Sequence, residues 1–519
     1  MPTDRAAKAI IACLVTLVLP GLSRAEGPLS AIDWLSQSVS AAPGTVVVLP
    51  NVKRFEPDVT VGSVPPDVSV SVIGAASPDA LGLLSPMITG LPANLWGLGR
   101  TKEIAQAITR TDSGGLPSLQ ALLVTLLLAE AEPPADAGAK GALLLARIDR
   151  LLDIGALDQA SALLGLAGDG TADLFRRSFD VALLLGSEDK ACEKMRAVPD
   201  LAPTFPARVF CLARAGDWNA AALSLRTGEA LGQITPAEEA LLSRFLDPDL
   251  ADGEAALPAP DKPTPLIWRM YEAIGEPLPT MGSPVAFSHA DLGPRAGWRA
   301  HIEAAERLAR AGAIAPNILL GVYTERQPAA SGGVWDRVAA FQNFDDAVQS
   351  GKAEVVAKTL PLVWARMTEA ELEAPFASLF AKDLIRLDLP GDAGALAFRV
   401  ALLSDQYERA AQGRTPATAT EAFLIGLARG QLGSVPAQDE LGRAIASAFV
   451  RPELSAEAKA LLDQKRVGEA LLHAIALIEG GARGDLDEVS VGLSILRRLG
   501  MEDAARRSAL ELMVLERRG

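Results

Sequence analysis

Glycine and alanine recur five residues apart along this chain, and that spacing limits what it can fold into more than any other feature. In "LLDIGALDQASALL" they are Gly155 and Ala160, in "LLLGSEDKACEKM" Gly186 and Ala191, and in "CLARAGDWNAAALSL" Gly216 and Ala221. Near the C-terminus "LRRLGMEDAARRSAL" repeats the pattern with Gly500 and Ala505. The first three glycines follow one another at intervals of about 30 residues. A glycine can take the left-handed backbone that ends one helix, a polar turn follows, and the alanine lets a second helix approach the first closely. The unit is a helix hairpin. A hairpin of this size buries its apolar face only by stacking on its neighbours.

The rest of the chain fits a stack of such hairpins. From about Pro117 the apolar residues keep a 3.6-residue period to the C-terminus, in segments of ~10–18 residues parted by turns carrying Gly, Asp, Ser or Pro. Alanine and leucine dominate and aromatics make up 5% of the chain, a composition suited to helices. Residues 26–115 differ. They hold one short helical stretch, "SAIDWLSQSV", then proline-rich sequence with two near-copies, "PDVTV" (57–61) and "PDVSV" (66–70). Their alternation is that of an extended strand, which the prolines confine to an edge. The expected architecture is all-α: an α-solenoid of helix hairpins with a proline-rich, partly extended N-terminal arm. We divide it into the arm (26–115), a first set of repeats (116–250), a proline-rich linker with an aromatic segment (251–293) and C-terminal repeats (294–519). Arg517 and Arg518 close the last helix, where cations suit the helix dipole.

The turn "GDWNAA" at 216–221, with Pro203 after the second helix of the Gly186 unit, resembles the tetratricopeptide-repeat family. The resemblance covers residues 138–235, and 484–519 less closely. The family's first-helix Trp, Gly and Tyr positions are not reproduced, so the repeats are divergent. The resemblance implies an interaction scaffold with a concave binding face and no catalysis. In such a stack the second helix of one unit meets the first helix of the next. Cys192 falls early in a second helix and Cys211 in the following first helix, so a bridge between them is geometrically reasonable. Closing that loop of about 20 residues would contribute roughly 3 kcal/mol in the chain-entropy model. The alternative is two buried free thiols.

The N-terminus indicates the compartment. Arg5 and Lys8 form a basic start, "AIIACLVTLVLPGL" an apolar run, and "SRA" (23–25) a small-residue cleavage site, as in a secretory signal peptide cut after Ala25. A lipidated Cys13 is the rival reading, but most of the apolar run follows that cysteine instead of preceding it. The expected location is the periplasm or the medium, with no membrane span. A net charge of −15 repels phosphate backbones, which excludes nucleic acid as a natural partner. The three histidines, His289, His301 and His473, stand far apart, and neither a metal site nor a cofactor motif is indicated.

Two stretches invite a search for chemistry. "GVYTERQPAASGGVWDR" (321–337) places Ser331 before two glycines, yet "AASGG" lacks the first glycine of a hydrolase elbow and no strand precedes it. Ser331 is expected to cap the helix that follows, and Glu325 to be a solvated charge paired with an arginine. In "GWRAHIEAAERLARAG" the pairs Glu303–Arg307 and Glu306–Arg310 have i,i+4 spacing. Aromatic residues crowd the centre of the chain. Trp268, Tyr271, Trp298, Tyr323 and Trp335 are the candidate partner-binding residues if that crowding lines a groove; otherwise it is the thickest part of the core. The best functional expectation is an exported scaffold for a protein partner, with envelope assembly as the setting. The alternative is a glycan-binding or peptidoglycan-processing protein that uses the aromatic centre, with a glycan as its ligand.

Overall fold

The computed structural model describes residues 77–515, apart from 113, 252 and 434. The signal segment with Cys13, residues 26–76 of the arm with both valine-rich copies, and Arg517 and Arg518 lie outside the described residues. Within the described residues the protein is all-α. Helices follow one another from Pro86–Thr89 to Glu502–Val514, and the β structure is limited to an isolated parallel bridge between Leu84 and Ala129. No helix among them is long and apolar enough to cross a membrane.

The hairpins form where the glycine–alanine spacing places them. Gly155, Gly186, Gly216 and Gly500 all adopt left-handed backbone, with φ between 69° and 80°. Each turn closes the same way: the residue after the glycine donates its N–H to a carbonyl five residues back, as Asp217 does to Leu212 (3.0 Å) and Met501 to Leu496 (2.9 Å). Ala160, Ala221 and Ala505 are fully buried against the partner helix, as close approach requires. Consecutive helices pack on each other through most of the described chain, so this is a solenoid-like all-α fold.

Long-range contacts close the winding on itself. The helix Pro117–Leu128, "PSLQALLVTLLL", is apolar on nearly all sides, and eight of its residues are buried. A helix of that kind needs neighbours all round. It touches Ala142–Asp153 next to it in sequence, and also Val467–Ala482 and Glu502–Val514 near the other end of the chain. Two buried carboxylates join these parts. Glu479 accepts the N–H of Leu116 at 3.1 Å, and Glu511 accepts the N–H of Ser118 at 3.0 Å and its hydroxyl at 2.6 Å. The orphan donors at the start of this axial helix are thus satisfied across 363 and 393 residues of chain.

The far end of the axial helix is held from the N-terminal side. Leu83 and Leu84 donate to Leu128 O, and Glu130 donates back to Leu84 O. Arg147, fully buried, donates to three carbonyls: Leu127 (2.7 Å), Leu81 (2.7 Å) and Ala129 (2.8 Å). Asp79 accepts the N–H of Leu144 at 2.8 Å, in the first turn of Arg147's own helix. The described part of the arm is therefore a strap sewn to the body. It also includes a helix, Thr101–Arg110, earlier than the expected start of helical structure at Pro117. Its apolar period is only ten residues long, with Ile104 and Ile108 as the buried anchors.

A second apolar core lies apart from the main one, built from residues of the Gly186 and Gly216 hairpins and the helix Pro265–Ala273. Cys192 and Cys211 are disulfide-bonded inside it, with Cα atoms 5.0 Å apart, between the second helix of one hairpin and the first of the next. Cys192 and Cys211 also lie buried in this core among apolar side chains, and Cys211→Ser is expected to lower stability by about 2 kcal/mol, at the low end of what losing a bridge costs. Denaturant melts of the oxidised protein and the variant check this; equal midpoints would contradict it.

Candidate functional site

The aromatic centre is core. Trp268, Tyr271, Trp298 and Tyr323 are buried, and Trp335 is half-buried with its ring tilted on Trp298 at 5.1 Å. Their polar ends are satisfied internally. Trp268 donates to Leu278 O (3.1 Å), Tyr271 to Pro258 O (2.7 Å), Trp298 to Val322 O (2.9 Å) and Tyr323 to Glu306 (2.7 Å). Around Tyr323 the crowding is core and not the alternative groove: its ring packs edge-on against Phe341 at 4.9 Å, and Phe376 and Phe380, from a later helix, fold onto Phe341 and Phe344.

Charges in this region are structural as well. Arg337 grips Glu306 with two bonds of 2.7 Å, and Tyr323 completes the buried trio. Burial, then the neighbouring Glu306 carboxylate, pushes the Tyr323 hydroxyl well above its ordinary range. The i,i+4 pairs expected along Trp298–Arg310 are not the ones that form. Glu303 pairs with Arg299, Arg307 donates to the carbonyls of Thr280 and Ser283, and Arg310 donates to Ala370 O. Tertiary acceptors win because a buried carbonyl without a donor costs more than an exposed ion pair returns. Glu325 pairs with Arg326 at 3.0 Å and lies 3.5 Å from His301.

Ser331 does not cap the helix. The helix runs Val334–Gln349 and its N-cap is Gly333. Gly332 and Gly333 both have left-handed φ and carry the turn past the serine, and Asp336 accepts the Gly332 N–H at 2.9 Å. Ser331 is exposed. Ser331→Ala is therefore expected to change stability by less than about 0.5 kcal/mol, whereas a lost cap would cost about 1 kcal/mol. A thermal melt separates the two.

A cavity of about 470 Å³ opens where distant parts of the chain meet. Its floor is apolar, from Leu116, Pro117, Ala121 and Val124 along the axial helix, with Ile154 and Val285 opposite. Its rim carries Asp112, Arg150, Asp153, Arg310 and Glu371. Arg150 pairs with Asp153 and donates to Thr111 O at 2.6 Å. Arg310 donates to Ala370 O at 3.0 Å and lies 3.9 Å from Glu371. Gln120 reaches across to Ala311 O at 3.2 Å. Leu116 also borders a second cavity of about 310 Å³, on the side of Glu511. Sequence reasoning did not bring these residues together, because they come from five separate stretches of the chain. Among the described residues no group of three or more His, Cys, Asp or Glu side chains is placed to hold a metal ion.

No family model matches this chain, and neither a curated protein nor a solved structure matches it.

Proposed function

We propose that this chain is an exported, tetratricopeptide-like scaffold that holds a protein partner, in the periplasm or outside the cell, as part of an envelope assembly. The observation that carries this reading is the ligand-sized, apolar-floored cavity at the junction of the axial helix with the middle of the chain. The helices around it are fixed by buried bonds from both directions, so the opening is pre-formed and association costs little reordering. A disulfide between Cys192 and Cys211 suits an oxidising compartment, and residues 1–25 have the pattern of an export signal.

The test uses a photo-crosslinking residue at Ser378, exposed and one turn beyond the cavity-lining Ala374, with Leu362 on an outer surface as control. In cells of the source organism, a discrete protein adduct from position 378 and none from 362 is expected. Equal labelling at both positions, or at neither, removes the reading. Intact mass of the exported material is expected to begin at Glu26.

A further inference from the structure

We propose that the cavity takes a basic side chain: its occupant is a partner segment with a lysine or arginine beside an apolar residue. This rests on the scaffold reading and names the chemistry of the partner.

The first argument is the balance of charge. Asp112, Asp153 and Glu371 outnumber two arginines, whose pairing with Asp153 and Glu371 leaves Asp112 as the excess charge. Arg150 is held by Asp153 and Thr111 O, and Arg310 by Ala370 O beside Glu371. Helix ends add to the imbalance. Two helices finish in the cavity wall, Ala142–Asp153 at Ile154 and Trp298–Arg310 at Ala311 and Gly312. Such ends carry partial negative charge. The two helices that begin there have their positive ends masked. Glu479 and Glu511 occupy the start of the axial helix. The first turn of Glu373–Leu387 carries the buried Glu373, and Pro375 lacks an N–H. The site is thus electronegative over an apolar floor, in a chain of net charge −15 that attracts cations from a distance.

The second argument is a strained backbone at the rim. Glu371 has φ of 55°, a left-handed conformation, and closes its turn with Leu372 N–H on Met367 O at 2.8 Å. Gly312, also in the cavity wall, closes an equivalent turn with Ala313 N–H on Leu308 O at 2.9 Å. Glycine fills this position at the hairpin turns of Gly155, Gly186, Gly216 and Gly500 too. A side chain there is strained, at Glu371 as at Lys465, whose φ is 57°, and at Glu371 the turn holds a carboxylate in the cavity wall.

The experiment measures fluorescence anisotropy of two fluorescein-labelled hexapeptides with the oxidised protein, one of leucine, alanine and lysine, the other with glutamate in place of lysine. The lysine peptide is expected to bind at least tenfold more tightly than its glutamate counterpart, and less tightly as salt rises. Ala121→Trp, which fills the cavity from an exposed position, and Glu371→Gly are each expected to weaken it at least tenfold. Glu371→Gly is also expected to raise the unfolding midpoint, so lost binding cannot be lost folding. The proposal is overturned if Ala121→Trp binds the lysine peptide as the parent does, since the attraction is then surface charge alone. It also falls if the glutamate peptide binds equally well, or neither peptide binds. Peptide failure with a specific adduct at Ser378 leaves the scaffold reading standing. Peptide binding with no adduct removes that reading and leaves a site for basic ligands.

Discussion

Arg147→Leu is expected to destabilise the protein by roughly 5 kcal/mol, more than any other single change considered for this chain. The leucine fills part of the volume but leaves the carbonyls of Leu81, Leu127 and Ala129 without their donor in a buried place. Each unmet group of this kind costs about 1–3 kcal/mol. Burial lowers the Arg147 guanidinium only to about 10, so it stays charged at neutral pH and its bonds are charge-assisted. Arg147→Lys should recover part of the loss, since an ammonium cannot reach three acceptors in the fork that a guanidinium spans. Urea denaturation gives the magnitude, and hydrogen exchange locates it: the amides of Leu83 and Leu84, bonded to Leu128 O, should lose protection first. A loss below ~2 kcal/mol would show that the strap is held by its apolar contacts instead.

Stability should fall as pH rises from about 4.5 to about 7, and Glu479 should be the reason. Burial pushes its carboxyl up from 4.5 to about 7; the nearby Asp112 carboxylate pushes the same way, while the Leu116 and Gly115 N–H groups and Arg483 oppose them. The folded protein therefore keeps a proton that the unfolded chain releases near 4.5. That contribution is complete below about 4.5, is lost progressively as pH rises from there, and is gone above about 7. A shift of this size corresponds to about 3 kcal/mol. Glu479→Gln keeps the shape and cannot titrate, so the parent minus variant difference should shrink by that amount between pH 4.5 and 8. A difference independent of pH would refute the assignment.

The hairpins were legible because a left-handed glycine and a small residue five positions on are local requirements, met at Gly155, Gly216 and Gly500 within a dozen residues. The disulfide was legible because stacking order makes Cys192 and Cys211 neighbours. Ser331 was misread because two successive glycines moved the start of the helix past it, and cap chemistry alone does not reveal where a turn ends. Aromatic density was visible, but its role was not: Phe376 and Phe380 decide it, and they arrive from a later helix. The cavity was invisible, since Asp112, Arg150, Arg310 and Glu371 share no period or motif. Glu479 and Glu511 left one faint signal, a carboxylate within the otherwise apolar runs "ALIEGG" and "ALELMV".

The axial helix also sets an order of events. A ribosome completes Pro117–Leu128 long before it reaches Glu479, 363 residues after Leu116, or Glu511, 393 after Ser118. During that interval this strongly apolar helix lacks two of its three principal neighbours. Contacts so distant in sequence form slowly, and apolar surface exposed meanwhile favours aggregation. The nascent chain thus needs shelter at this segment, and a product truncated before Val467 would display it permanently, a ready signal for quality control.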